Sequence, residues 1–147
     1  MPVHSTPSNV HFHFLKGGNS LSNRTSLKSF IATLFKKEGK KLGEIHYIFC
    51  SDDYLLEINR QHLKHDYYTD IITFGLSSLG HPINAEIYIS VDRVKDNAHQ
   101  FNDTFKRELH RVIFHGALHL CGYKDKKAMD QQLMRKMEDK YLGLYFK

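Results

Sequence analysis

Disulfides are the first thing this sequence argues against. Among 147 residues only Cys50 and Cys121 are cysteine, and no C-x-x-C pair occurs. Both stand in apolar stretches and read as small buried hydrophobes in a reducing compartment. No apolar run approaches the roughly 20 residues of a membrane span, and Met1 to Asn9 lacks the basic start and hydrophobic middle of a secretion signal. The expectation is a cytoplasmic protein. Internal repeats and low-complexity segments are missing too, and the length suits one domain, residues 1–147, large enough to bury a core without covalent staples. Acidic residues are the minority, 16 against 21 Lys and Arg, for a net charge of +5 and a pI near 9.1. That balance favours a polyanionic partner without identifying it.

What is present alternates strands with helices. Val10 to Leu15 sets His11 and His13 against Phe12 and Phe14, the period of a half-buried strand with its histidines outward. Leu27, Phe30, Ile31, Leu34 and Phe35 fall at helical spacing, so Asn23 to Lys37 is predicted as an amphipathic helix, capped by Asn23 or Thr25 and stopped by Gly39. Glu44 to Cys50 reads as a second strand, and Ser51-Asp52-Asp53 caps a short helix to about Gln61. Asp70 to Phe74 and Ala85 to Ser90 supply two more strands, and Ser90 with Asp92 caps a helix near Val91 to Phe101.

Asn102-Asp103-Thr104 opens the next helix, with Phe105, Leu109, Val112, Ile113, Gly116 and Leu120 on its buried side. A last helix from Asp125 to Gly143 carries Met129, Leu133, Met137 and Tyr141 at repeats of four, the methionines read as core filler. The class is α+β, four strands in one sheet packed with about five helices, the central helix carrying the residues of interest.

Those residues lie in F-H-G-A-L-H-L-C-G-Y-K-D-K, Phe114 to Lys126. His115 and His119 are four residues apart. On a helix that is about 400° of rotation and roughly 6 Å of rise, so both imidazoles leave one face and can meet on one cation. Gly122 suits a left-handed turn that ends the helix and swings the chain back, and Asp125 follows as a third ligand, leaving a fourth position open to water. Eleven histidines make one such pair unsurprising by itself; the glycine and the carboxylate strengthen it. The residue after His115 is Gly116, so the glutamate that zinc peptidases use as base is missing.

The stretch His115 to Tyr123 resembles the signature H-G-x-L-H-L-x-G-Y-D-H of the YbeY family of metal-dependent bacterial endoribonucleases, with Lys124-Asp125 in place of its Asp-His. The resemblance implies a small mixed sheet around the ligand-bearing helix, and it puts Asp125 where the family has a third histidine. Ile58-Asn59-Arg60 and Thr69 to Phe74 look like the family's L-N-x-x-[YF]-R and T-D-V-L-S-F stretches, and Arg60, the only arginine between Arg24 and Arg93, is the counterpart of its cleft arginine, though closer to Asn59 than in that pattern. A planar guanidinium there would hold the phosphate as negative charge builds on it. Thr69 and Asp70 read as turn and capping residues.

By that resemblance the expected function is cleavage of single-stranded RNA in the maturation of small-subunit ribosomal RNA at its 3′ end and in quality control of the small ribosomal subunit. His115 and Arg60 would be catalytic, and His115, His119 and Asp125 would hold one divalent ion, zinc. Lys124, Lys126 and Lys127 would draw in the backbone, and Tyr67, Tyr68 and Tyr123 would stack bases. Two other functions fit the residues: a ribosome-associated RNA-binding protein with a structural metal, and a zinc peptidase.

Overall fold

The computed structural model describes residues 8–147, so most of the Met1 to Asn9 stretch lies outside it. Four strands form one mixed sheet in the order β1-β2-β4-β3. β1 (Val10–Phe14) and β4 (Ile83–Ser90) run parallel to β2 (Leu42–Cys50), and β3 (Ile71–Gly75) closes the edge antiparallel to β4. Strand alternation decides the faces. Val10, Ile45, Tyr47, Phe49, Ala85, Ile87 and Ile89 are buried beneath the helices, with Phe12 and Phe14 packed at the margin. The opposite face carries His11, His13, Glu44 and His46 at the β1–β2 side, while Ile72 and Cys50 make a smaller cluster there with Leu55.

The helices are α1 (Arg24–Lys37), α2 (Asp52–Ile58), α3 (Val91–Gln100), α4 (Phe105–Leu120) and α5 (Ala128–Tyr145). Three begin on the hydroxyls expected of them: Ser51, Ser90 and Thr104 accept from the amides of Tyr54, Arg93 and Arg107, each at 3.1 Å. Each such cap is worth about 1 kcal/mol. α1 departs from this pattern, for Asn23 holds the N-cap position in a left-handed conformation and its side chain caps nothing. Its far end is as read: Gly39 sits at φ 71°, and Lys40 N–H reaches back to the Phe35 carbonyl at 2.9 Å. α2 runs on into a π-helical turn, Asn59–Leu63.

α4 is central, as expected, but its burial is almost all-round, taking in Glu108, His110 and Arg111 as well as the apolar positions. Two contacts fix its depth. The fully buried Tyr47 donates its hydroxyl to the Ile113 carbonyl at 2.9 Å, and a Cβ on Gly116 would meet Ile71 and Ile87 at 3.0 to 3.1 Å. The glycine is what lets the helix lie this close to the sheet.

α5 corrects the sequence reading. It starts at Ala128 rather than Asp125, and Met129 and Leu133 are exposed, while Met134, Glu138, Tyr141 and Leu142 are buried. A strict repeat of four drifts off a helix face of period 3.6, and the true face contains a glutamate that no hydrophobic pattern would include.

Candidate metal centre

His115 and His119 project from the last turns of α4 with ring centroids 4.7 Å apart. The helix ends as the sequence suggested. Gly122 adopts φ 107°, its N–H bonding the His119 carbonyl at 3.0 Å and the Tyr123 N–H bonding that of Leu118 at 3.1 Å. The reversed chain brings Asp125 Oδ2 to 3.2 Å from His115 Nε2 and 3.2 Å from His119 Nε2. One atom from each of the three residues lies within 4.8 Å of the other two. Two of these separations are close to the edge of a tetrahedron around zinc, about 3.3 Å for bonds of 2.0 to 2.1 Å.

The far nitrogens are committed. His119 Nδ1 is 2.9 Å from the Tyr123 carbonyl, an acceptor only, so Nδ1 carries the proton and Nε2 presents its lone pair. His115 Nδ1 lies 2.6 Å from Glu138 Oε2. Burial pulls the His115 pKa down, but the hydrogen bond and charge of Glu138, joined by Asp125 and Asp70, outweigh it, and the net shift is upward. Lone pairs and a carboxylate oxygen turned toward one point favour a cation between them, and the tethered rings need no rearrangement to take it. Two nitrogens and one oxygen leave a position open, the pattern of a catalytic zinc site.

Behind the two histidines lies a network that sequence reasoning missed. Glu138, 5% exposed, accepts from Arg111 Nη1 at 3.1 Å with its other oxygen, and Arg111 also holds Asp139 at 2.9 Å and stands 3.8 Å from Glu108. Arg111, His115 and His119 recur at intervals of four, and Glu138 sits in the apolar stripe of α5. A charge repeating in step with two ligands, and an acid amid buried positions, were the available signals.

These three side chains open on a cleft of about 900 Å³, bordered by Asn59, Leu63, Tyr67, Asp70, Lys126 and Arg135 among others. Asp70 is more than the turn residue expected: its carboxylate accepts from Asn97 at 3.1 Å, and burial raises its pKa. Glu108, also in the wall, is pushed up to about 7 by burial, against the pull of Arg111. Arg60 does not border the cleft. It lies on the outward side of the π-helical turn, half exposed, and its guanidinium holds Asp66 at 2.5 Å with Glu57 at 3.8 Å. Of the three tyrosines, Tyr67 borders the cleft, while Tyr123 donates its hydroxyl to Glu38 at 2.7 Å and Tyr68 lies under the Arg93 guanidinium.

A sequence profile described as "Endoribonuclease YbeY" matches residues 18–145. The chain belongs to the endoribonuclease YbeY family. Among its relatives, a protein named endoribonuclease YbeY from Cytophaga hutchinsonii is 52% identical over 124 residues, covering 84% of this chain and 87% of the relative. Another of that name, from Phocaeicola vulgatus, is 56% identical over 106 residues, covering 72% and 76%. The solution structure of a Thermotoga maritima protein superposes with a TM-score of 0.66 at 31% identity, covering 93% of this chain and 89% of that one. Hydrolysis of RNA phosphodiester bonds is the activity that goes with family membership.

Proposed function

We propose that this YbeY protein is a metal-dependent, single-strand-specific endoribonuclease of one domain, acting in the cytoplasm on ribosomal RNA with the small ribosomal subunit as its partner. His115, His119 and Asp125 hold one divalent ion, zinc. The observation that carries the metal reading is the convergence of both Nε2 atoms on Asp125 Oδ2 at 3.2 Å while the Nδ1 of each ring faces an acceptor. When bound, such an ion acidifies water and polarises a phosphoryl oxygen.

The chain's own groups do the rest. Glu138 orients His115, and Arg111 holds Glu138 in place. Arg135 and Lys126, bordering the cleft, supply the positive charge that a phosphate backbone meets beside the ligands. Glu108, pushed up to about 7 by burial, is the wall group suited to accept a proton near neutral pH, and burial raises the pKa of Asp70 as well.

The peptidase alternative fails on geometry. Position 116, where a peptidase would carry its glutamate, points into Ile71 and Ile87 of the sheet and leaves no room for a side chain aimed at the ligands. The reading of an RNA-binding protein with a structural metal is separated by experiment. Single-stranded RNA, duplex RNA and casein are incubated with the chain, with and without chelator and with zinc restored. Cleavage of single-stranded RNA alone, lost with chelator and regained with zinc, is the expected result. Undiminished RNA binding without any cleavage would overturn the nuclease reading.

No helix among the described residues is long and apolar enough to cross a membrane.

A further inference from the structure

The nuclease reading leaves unused a group of imidazoles on the other side of the sheet. We propose that His11, His13 and His46 form a second metal site, on the open sheet face, for a borderline divalent cation of the zinc, nickel or copper class. The sequence element is H-x-H on a strand. Successive side chains alternate, so His11 and His13 stand on one face about 7 Å apart at their Cα atoms. Register puts His46 of β2 directly opposite His11, on that same face.

His46 lies between the other two rings, bonded to one and stacked on the other. His13 Nε2 and His46 Nδ1 meet at 2.8 Å, with centroids 5.1 Å apart and planes tilted by only 17°. The rings are therefore nearly coplanar and edge to edge, and a single proton joins two ring nitrogens. A cation in place of that proton sits off the line between the nitrogens, so the rings pivot by about 35° as the nitrogens part to about 3.3 Å, the edge of a tetrahedral site. His11 stacks on His46 at 4.5 Å, and its Nε2 is 2.7 Å from Glu44 Oε2. It must turn about its side-chain bonds to become the third ligand, and its 37% exposed side chain has room to do so. Glu44 then stands beside the ion as a hard oxygen donor or as the acceptor that orients His11.

Imidazole nitrogen suits zinc, nickel and copper, and not the harder magnesium or calcium. Two of the ligands come from β1 and one from β2, so the ion would clamp an edge strand onto its neighbour. The face is separate from the nuclease cleft. Neither His11, His13 nor His46 borders it, and the two sites can be emptied one at a time.

Tag-free protein of the full chain is titrated with zinc chloride alone by calorimetry, and bound zinc is counted after dialysis. The parent should hold two equivalents, and His115→Ala/His119→Ala one. His11→Asn/His13→Asn should also hold one, and the combination of all four substitutions none. In the His115→Ala/His119→Ala background zinc should raise the melting temperature, and His13→Asn should remove that rise. His13 is exposed, so its substitution cannot act through loss of the fold. A His115→Ala/His119→Ala protein that holds no zinc, or one that keeps its zinc after His11→Asn/His13→Asn is added, would overturn the site. Were the cleft itself unable to bind, the parent would hold one equivalent, still lost with His11→Asn/His13→Asn, so failure of the two sites is told apart.

Discussion

Two groups of histidines in this chain differ in how far their imidazoles are prepared to take a metal. On α4, His115 and His119 each have Nδ1 tied to an acceptor, Glu138 or the Tyr123 carbonyl, and Nε2 turned to Asp125. On β1 and β2, the ring nitrogens of His13 and His46 are bonded to each other and His11 to Glu44. The first group is half-buried and held by a network with its own buried charges; the second is carried by side chains free to turn. Proximity is common to both. Orientation by a second partner is not, and it is orientation that leaves a lone pair aimed at one point with no entropy left to lose.

The largest expected effect separates the groups by function. His115→Ala/His119→Ala should reduce cleavage of single-stranded RNA by at least about a hundredfold, the loss of a cation that carries several kcal/mol of transition-state stabilisation. His11→Asn/His13→Asn should leave the rate unchanged. Initial rates on one RNA at equal protein concentration decide it, and a comparable loss in both variants would collapse the distinction.

The supporting partners come next. Glu138→Gln keeps the shape of the side chain and removes its charge, and zinc affinity at the cleft should fall by about 10- to 100-fold. Glu138→Ala also takes from the buried Arg111 one of its partners, leaving Asp139 and the more distant Glu108, and should cost about 1 to 3 kcal/mol of stability in a denaturant titration. Asp125 belongs with this group. It does not cap the last helix, because α5 starts at Ala128 behind Lys127. Asp125→Ser, which preserves capping ability, should therefore lose the metal as fully as Asp125→Ala, whereas Asp125→His should retain zinc.

How much of this was legible beforehand follows from what kind of signal each residue emits. His115, His119, Gly122 and Asp125 belong to one short stretch whose helix and turn geometry is local, so spacing alone brought them together. The strands and helices were legible for the same reason. Arg111 and Glu138 pair across 27 positions, and nothing local announces a contact at that range. The burial of Asp70 depends on α3 supplying Asn97, which strand periodicity does not reveal. Asp125 to Gly143 was misphased because the buried face of α5 contains Glu138, and a search for apolar repeats steps around an acid.

A smaller effect, in pH, tests whether the cleft histidine is as strongly coupled as its contacts imply. The folded-state pKa of His115 lies above its free value of 6.5, so its proton stabilises the metal-free protein fully below that pH and the contribution fades as pH rises through the raised value. Glu108 acts in the same direction, moving from 4.5 to about 7, with stabilisation complete below the lower figure and lost through the upper. The melting temperature of metal-free protein should therefore fall between about pH 5 and 8. Zinc binds the neutral ring, so its affinity should rise over the same interval and reverse the trend. Parallel curves with and without zinc would show that His115 is not a ligand, and His115→Gln should flatten the part of the metal-free slope that it owns.

The smallest effect expected is at Arg60, where reading by sequence and reading by structure give opposite outcomes. Placed by motif, Arg60 would grip the phosphate, and its removal would cost orders of magnitude in rate. Placed by the fold, it is an exposed residue of the turn whose Asn59 and Leu63 border the cleft while it does not. Its charge is already engaged by Asp66 and Glu57, exposed partners whose pairing contributes little to stability. The guanidinium would have to leave both and swing around the helical turn to meet a substrate held at His115. Arg135 and Lys126 need no such movement. Arg60→Ala should thus leave both the melting temperature and the rate near those of the parent, while Arg135→Ala should raise KM for RNA, more at low salt than at high. A rate loss for Arg60→Ala as large as that for His115→Ala would mean that the turn carrying Asn59–Leu63 reorganises when RNA enters, and the motif would then have located the residue better than the fold does.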